Sequence, residues 1–332
     1  MDKMTEQILR RRMHGLYVSR PCEDIGQLSH ELLGLHCWFH RNVAFSALIR
    51  GADLMGWRTV LTKTWLYRGT LHGVVFEDLP LLLGLHAEDS YAWLLDEERL
   101  KDIADKVVRL MEDGVYSRAE MRRIFAHEID GRIIDRVFSP WGGIFVYLAR
   151  RGKVAFRDMK SRDFDLIAAE PTQTPDEILP LLLRRFFSAY GPATLADAAW
   201  FLGLWKDSKK ALLALDLDEF SRLEYEGNTY YYVENTADMG DIPALTLLSG
   251  FDPLIVSYAE RSAVLPPEYK SRVVMKSGIC LPTIALDGKV AGLWNIKNQE
   301  PVVEFFAEQP RRIKDAALDW VDKIRRQTAG LI

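Results

Sequence analysis

The segment from Tyr190 to Val233 restricts the folds open to this chain of 332 residues more than any other stretch. Thr194 stands three positions ahead of Asp197, the spacing at which a cap hydroxyl and an acid can satisfy each other's backbone N–H groups. Leu195, Ala198, Ala199 and Leu202 then recur at helical spacing, and Gly203 predicts the stop. A second helix is expected over about 206–215. Behind it comes Arg222-Leu-Glu-Tyr-Glu-Gly-Asn-Thr-Tyr-Tyr-Tyr-Val233. Aromatic and β-branched residues flank the polar Glu226-Gly-Asn228, which predicts a hairpin turning there.

Helix, turn, helix and hairpin in that order make a winged helix, whose second helix commonly enters the major groove of DNA. A similar rhythm occurs earlier. Ser117-Arg-Ala-Glu120 caps a helix, helices are expected near 131–137 and 143–151, and Gly152-Lys-Val-Ala-Phe-Arg157 starts a strand. At the N-terminus, helices near 6–13, 25–33 and 39–49 precede a hairpin over 60–76. Thr174-Pro-Asp-Glu177 begins a further helix, which makes 170–174 the best internal boundary. From 242 to 306 short strands turn at Asp252-Pro, Pro266-Pro and Asp287-Gly. A closing helix over 311–327 sets Ile313, Ala316, Ala317, Trp320 and Ile324 on one face. The expected fold is α+β, with tandem winged-helix units at 1–110, 111–170 and 171–240 and a β-rich region at 241–332 closed by a helix.

A hydrophobic content of 48% with 27% charged residues excludes a disordered chain and suits a soluble globular protein. No apolar run approaches the ~20 residues that span a bilayer. The polar start Met1-Asp-Lys-Met-Thr-Glu-Gln7 does not read as a signal peptide. Cys22, Cys37 and Cys280 are widely spaced, as expected of free thiols in a reducing cytoplasm. Nothing calls for an oligomer, and a monomer is expected. The net charge of −4 does not advertise a nucleic-acid binder, but the charges are segregated. Eleven Lys or Arg face five Asp or Glu between Arg118 and Arg162, against two and nine between Glu77 and Asp105. One basic face on a nearly neutral protein follows if the first run is not simply a solvated surface. Arg122, Arg123, Arg150, Arg151 and Lys153 are its DNA-contact candidates.

Several spaced motifs carry a resemblance: Leu247-Leu-Ser-Gly-Phe-Asp-Pro253, Arg261, Leu265-Pro-Pro-Glu-Tyr-Lys270, Asp287-Gly-Lys-Val-Ala-Gly-Leu-Trp294 and Thr64-Trp-Leu-Tyr-Arg-Gly-Thr-Leu-His72. Together they resemble the winged-helix DNA-binding family that contains the AlkZ- and YcaQ-type DNA glycosylases. The resemblance implies duplex DNA as partner and hydrolysis of an N-glycosidic bond, by a monofunctional enzyme without a cofactor. Glycosylases of that family keep a Gln-x-Gln or Gln-x-Asp pair in a segment similar to Leu-Gly-Leu-Gln-x-Gln. Here the segment is Leu33-Gly-Leu-His-Cys-Trp38. His36 stands at the first position and Trp38 at the second, so the family's catalytic pair does not carry across.

Cleaving an N-glycosidic bond passes through an oxocarbenium-like sugar and needs a water on its opposite face. Histidine can orient that water or accept its proton. Tryptophan has one N–H donor and no acceptor, so it can stack on a base but cannot replace a carboxylate. His36 is the candidate catalytic residue and Trp38 a site-lining one. If 36–40 were helical, His36 and His40 would share a face beside Cys37, but further ligands are not apparent and no metal is expected. On a strand, Arg68, Thr70 and His72 would line one face opposite Trp65 and Tyr67. Asp252 can close the turn after Phe251, taken as a buried aromatic, and so joins the site-lining set. Arg261 and Lys270 are candidate phosphate contacts. No Walker loop, GxGxxG fingerprint or nucleophile elbow is present. Three readings stay open: a glycosylase of alkylated or bulky-adduct bases, a non-catalytic DNA-binding lesion sensor or transcription regulator, and a protein-interaction scaffold.

Overall fold

A computed structural model describes residues 2–204, 212, 215–235 and 238–330. The chain forms two compact units, one made of Met1–Met55 with Leu183–Ile332 and the other of Gly56–Leu182. The fold is α+β, as expected.

The first unit is organised by an antiparallel sheet whose strands lie in the order Glu300–Phe305, Lys289–Lys297, Thr283–Leu286 and Leu245–Leu248. Asp287 and Gly288 take φ of 46° and 80°, the paired left-handed values a two-residue hairpin turn demands. The closing helix, Arg311–Thr328, lays Ala317, Val321 and Ile324 against Leu247, Ile284 and Trp294 of the sheet and Phe45 and Ile49 of the helix His40–Ile49. The buried seam runs through 317, 321, 324 and 328. Ala316, expected on it, is exposed, because a helix that buries Ala317 and Val321 turns its neighbour outward.

The winged-helix elements of this unit match the sequence expectation where they are described. Thr194 and Asp197 form a reciprocal capping box, with Thr194 N–H donating to Asp197 Oδ2 at 2.9 Å and Asp197 N–H to Thr194 Oγ1 at 3.0 Å. The helix Leu195–Leu202 ends on Gly203 in the left-handed region. Ser221–Tyr225 pairs with Asn228–Tyr232 across a turn of only Glu226 and Gly227, because Asn228 is already in register with Tyr225. The second helix expected over 206–215 falls almost wholly outside the described residues.

In the second unit, four strands pair in the order Leu71–Val75, Leu61–Trp65, Val154–Phe156 and Phe164–Leu166. The helices Glu97–Glu112, Arg118–Phe125, Gly131–Val137 and Ile144–Arg150 supply the rest of its core. Leu100, Ile103, Ala104, Val107 and Met111 form one seam along the first of these. Phe145 stacks on Phe164 with centroids 4.0 Å apart. Burial of each such side chain contributes about 1.5–3 kcal/mol. Ser117 Oγ accepts from Glu120 N–H at 3.4 Å, one arm of the predicted cap. Among the described residues, no helix is long and apolar enough to cross a membrane.

Candidate functional site

His36 ends a two-residue strand, Leu35–His36, and not a helix, so it shares no helix face with His40, which begins the next helix. Cys37 is fully buried. Among the described residues, no group of three His, Cys, Asp or Glu is placed to hold a metal ion. The His36 imidazole lies flat against Phe251, with ring centroids 4.1 Å apart and planes 3° from parallel. Phe39 approaches the same ring at 6.5 Å. Trp38 and Phe39 are both 37% exposed, an unusual degree for adjacent large aromatics. The Trp38 backbone N–H points at His36 Nδ1 across 3.5 Å, the outer limit of a hydrogen bond.

Phe251 is half-buried, not the buried aromatic expected, and it sits at φ 56°. A left-handed bulky residue costs roughly 1–2 kcal/mol and persists only where neighbours over-determine it. Here they do. Asp252, fully buried, accepts from Ser249 N–H and from its hydroxyl at 3.0 and 3.2 Å, and from Leu254 N–H at 3.1 Å. This is the predicted local closure of the turn. Asp252 also receives a two-pronged guanidinium: Arg50 Nη1 donates to Oδ2 at 3.0 Å and Nη2 to Oδ1 at 2.9 Å. Arg50 is held in turn by the Leu16 carbonyl at 2.8 Å and by Ser46. Phe251 N–H donates to the Cys280 carbonyl at 3.2 Å, and Trp294 Nε1 to the Leu248 carbonyl at 2.9 Å. A Cβ on Gly250 would come within 2.8 Å of the Asn42 amide, so a side chain there would have to push that amide aside. The corner Ser249–Asp252 is thus pinned on every side, and it presents Phe251 to His36.

Sequence reasoning placed Asp252 but missed Arg50, Asn42 and the role of Phe251. Arg50 left one signal. It follows the apolar run Val43-Ala-Phe-Ser-Ala-Leu-Ile49, where a cation demands a buried partner.

The hairpin residues depart from expectation. Arg68 occupies a left-handed position, φ 54°, in the tight turn Tyr67–Gly69, so it is not on a strand and shares no face with His72. Thr70 follows that turn and donates its hydroxyl to the Tyr67 carbonyl at 3.0 Å. His72 is buried on the strand Leu71–Val75, opposite Thr64, with Nδ1 3.1 Å from the Thr70 carbonyl. Burial, opposed in part by that carbonyl, pulls its imidazole down to about 3. His72 is therefore neutral at physiological pH and packs edge-on against Tyr67. These three residues belong to the Gly56–Leu182 unit, whereas His36, Trp38 and Asp252 belong to the other.

The basic candidates divide by environment. Arg122 and Arg123 are exposed on the helix Arg118–Phe125, and Arg122 pairs with Asp135. Lys153 is exposed and pairs with Glu170. Arg150 is largely internal, bonded to Asp89 at 2.5 Å and to the Leu66 carbonyl at 3.2 Å. Arg151 stacks on Tyr147 at 3.7 Å. In the other unit, Lys270 is exposed and Arg261 lies 5.8 Å over the Trp200 ring. Arg150 therefore fits a structural role better than a phosphate contact, because its charge is already engaged inside the unit.

Comparison with known proteins places this geometry among relatives. An interstrand DNA cross-link repair glycosylase of Streptomyces sahachiroi is 28% identical over 277 residues, covering 76% of this chain and 74% of that protein. The solved structure of the Streptomyces sahachiroi DNA glycosylase AlkZ has the same fold, with a TM-score of 0.80 at 23% identity over 97% of this chain and 96% of its own. The model of the family described as DNA glycosylase AlkZ-like matches residues 57–327, so the chain belongs to the AlkZ-like DNA glycosylase family.

Proposed function

We propose that this protein binds duplex DNA and hydrolyses the N-glycosidic bond of an alkylated or bulky-adduct base as a monofunctional glycosylase. Interstrand cross-links, named for the Streptomyces sahachiroi relative, are one such class of adduct. The observation that carries the reading is the His36 ring held flat on Phe251 at the position where the family keeps its first glutamine. A base alkylated at a ring nitrogen is cationic and leaves readily, so the site needs to orient a water more than to deprotonate it. A histidine ring N–H at this position can donate to a water, as an amide N–H would. DNA contacts are assigned to Arg122, Arg123, Lys153, Arg261 and Lys270, on winged-helix-like units at 1–110, 111–170 and 171–240 with the β-rich 241–332. A cytoplasmic monomer suits this role.

One observation favours a second reading. Trp38, at the family's second position, offers no acceptor to water and no negative charge to the oxocarbenium ion, as suits a DNA-binding relative without chemistry. A duplex carrying a single N7-alkylguanine separates the two, with base loss read by alkaline cleavage of the abasic site. Release above the spontaneous rate, lost in His36→Ala and kept in His36→Gln, is the expected result. Salt-sensitive binding without release selects the non-catalytic reading, and no salt-dependent affinity selects a scaffold.

A further inference from the structure

Trp141 is 75% exposed, more than any other aromatic side chain among the described residues, and the proposed chemistry gives it no task. A ring so open to water adds little to the core of the Gly56–Leu182 unit. The turn beneath it is nevertheless closely specified. Gly142 N–H donates to the Ser139 carbonyl at 3.1 Å, and Trp141 N–H reaches the Ser139 hydroxyl at 3.3 Å. Gly142 and Gly143 take φ of 142° and 58°. A Cβ on Gly143 would meet the Val137 carbonyl oxygen at 2.0 Å, so no side chain fits there unless the backbone moves. Both glycines are buried, whereas Pro140 and Trp141 are exposed.

The turn is also tied to the interior. Arg118 Nη1 donates to the Pro140 carbonyl at 3.2 Å. Its guanidinium lies 5.3 Å from the ring centroids of both Phe145 and Phe164, the stacked pair inside the unit. A turn fixed in this way presents the indole already ordered, which lowers the entropy lost on contact with a partner.

The surroundings are basic. Trp141 lies within Arg118–Arg162, where eleven cations stand against five acids. The helix Gly131–Val137, which leads into the turn, exposes Arg132 and Arg136, and among the described residues no carboxylate pairs with either. The acids nearest in sequence are engaged elsewhere. Asp130 caps that helix by accepting from Arg132 N–H at 2.9 Å, and Asp135 pairs with Arg122. A large π face held among cations that attract a phosphate backbone suits a nucleobase, since every base has a face to stack on. A paired base has both faces covered by its neighbours, and opening that step costs free energy. An unpaired base offers a face without that cost.

We propose that Trp141 stacks on an unpaired base of bound DNA and so gives the protein a preference for locally opened duplex. This rests on the DNA-binding reading above, but not on base release.

The test compares the full chain on two duplexes, one fully paired and one with a single-base bulge holding 2-aminopurine, over a range of salt concentrations. The wild type should bind the bulge more tightly and quench the 2-aminopurine fluorescence as the indole stacks. Trp141→Ala should lose the quenching and weaken bulge binding about 5- to 150-fold, with affinity for paired duplex and the salt slope kept. Trp141→Phe should keep part of the preference. Neither substitution should move the melting temperature appreciably, because the side chain is exposed. Salt-sensitive binding with no preference for the bulge, or with a preference and quenching that Trp141→Ala leaves intact, overturns the proposal and leaves the DNA reading standing. No salt-dependent affinity of the wild type for either duplex removes both.

Discussion

Replacing Asp252 by Asn should cost far more than the loss of one hydrogen bond. The native carboxylate takes both prongs of Arg50 and three further donors at a corner where neither partner is exposed to solvent. Asn keeps the shape but removes the charge, and it turns an NH2 toward groups that are themselves donors. Arg50 is left as a buried, uncompensated cation, a defect of about 3–5 kcal/mol. In a unit of roughly 200 residues this corresponds to a fall in melting temperature of about 6–20 °C. The damage should also reach the site. Phe251 is kept in the left-handed region by the hydrogen bonds on either side of it, so a loosened corner releases the ring from His36. Differential scanning calorimetry of Asp252→Asn tests the first effect. The double variant Arg50→Met/Asp252→Leu tests its origin, since removing both charges should recover much of the loss. A single variant destabilised by less than about 1 kcal/mol, or a double variant worse than the sum of its parts, would refute the argument that an unpaired buried charge dominates.

Three other outcomes are expected. Phe251→Leu removes a stacked ring worth about 0.5–1.5 kcal/mol, and the upfield ring-current shift of the His36 C–H protons should vanish in NMR; an unchanged shift would contradict the stack. His72 makes the second unit acid-sensitive. Its imidazole lies near 3 when folded, against ~6.5 when unfolded, so the unfolded chain takes up the proton first. The stabilisation is complete above ~6.5 and lost as pH falls toward 3, about 2 kcal/mol of it by pH 5. Urea unfolding at pH 7 and 5 should show that loss in the wild type and less of it in His72→Gln. Charge reversal of Arg122 and Arg123, both exposed, should weaken duplex binding and flatten its salt dependence with little change in melting temperature, since the Arg122–Asp135 pair it breaks lies in solvent. Arg150→Glu should instead destabilise the fold, because it sets a second carboxylate against Asp89. Equal behaviour of the two would show that burial does not sort these cations.

What the sequence determined by itself was local. Caps, helical periodicity and turn residues act within a few positions, so the Thr194–Asp197 box, a hairpin turning within Glu226-Gly-Asn228 and the Asp287-Gly288 turn were legible before any fold was known. The family resemblance likewise rested on short contiguous motifs. The tight turn at Arg68 escaped because a run of strand-forming residues conceals a left-handed pair, Arg68-Gly69, that breaks the alternation. The site's geometry escaped for a different reason. Arg50 and Asp252 are 202 residues apart, and no periodicity links them. Their pairing is settled by where the sheet and the helix His40–Ile49 place two charges that cannot be buried separately. Only the tertiary structure could decide that this pair fixes Phe251, and that Phe251 in turn holds the ring of His36.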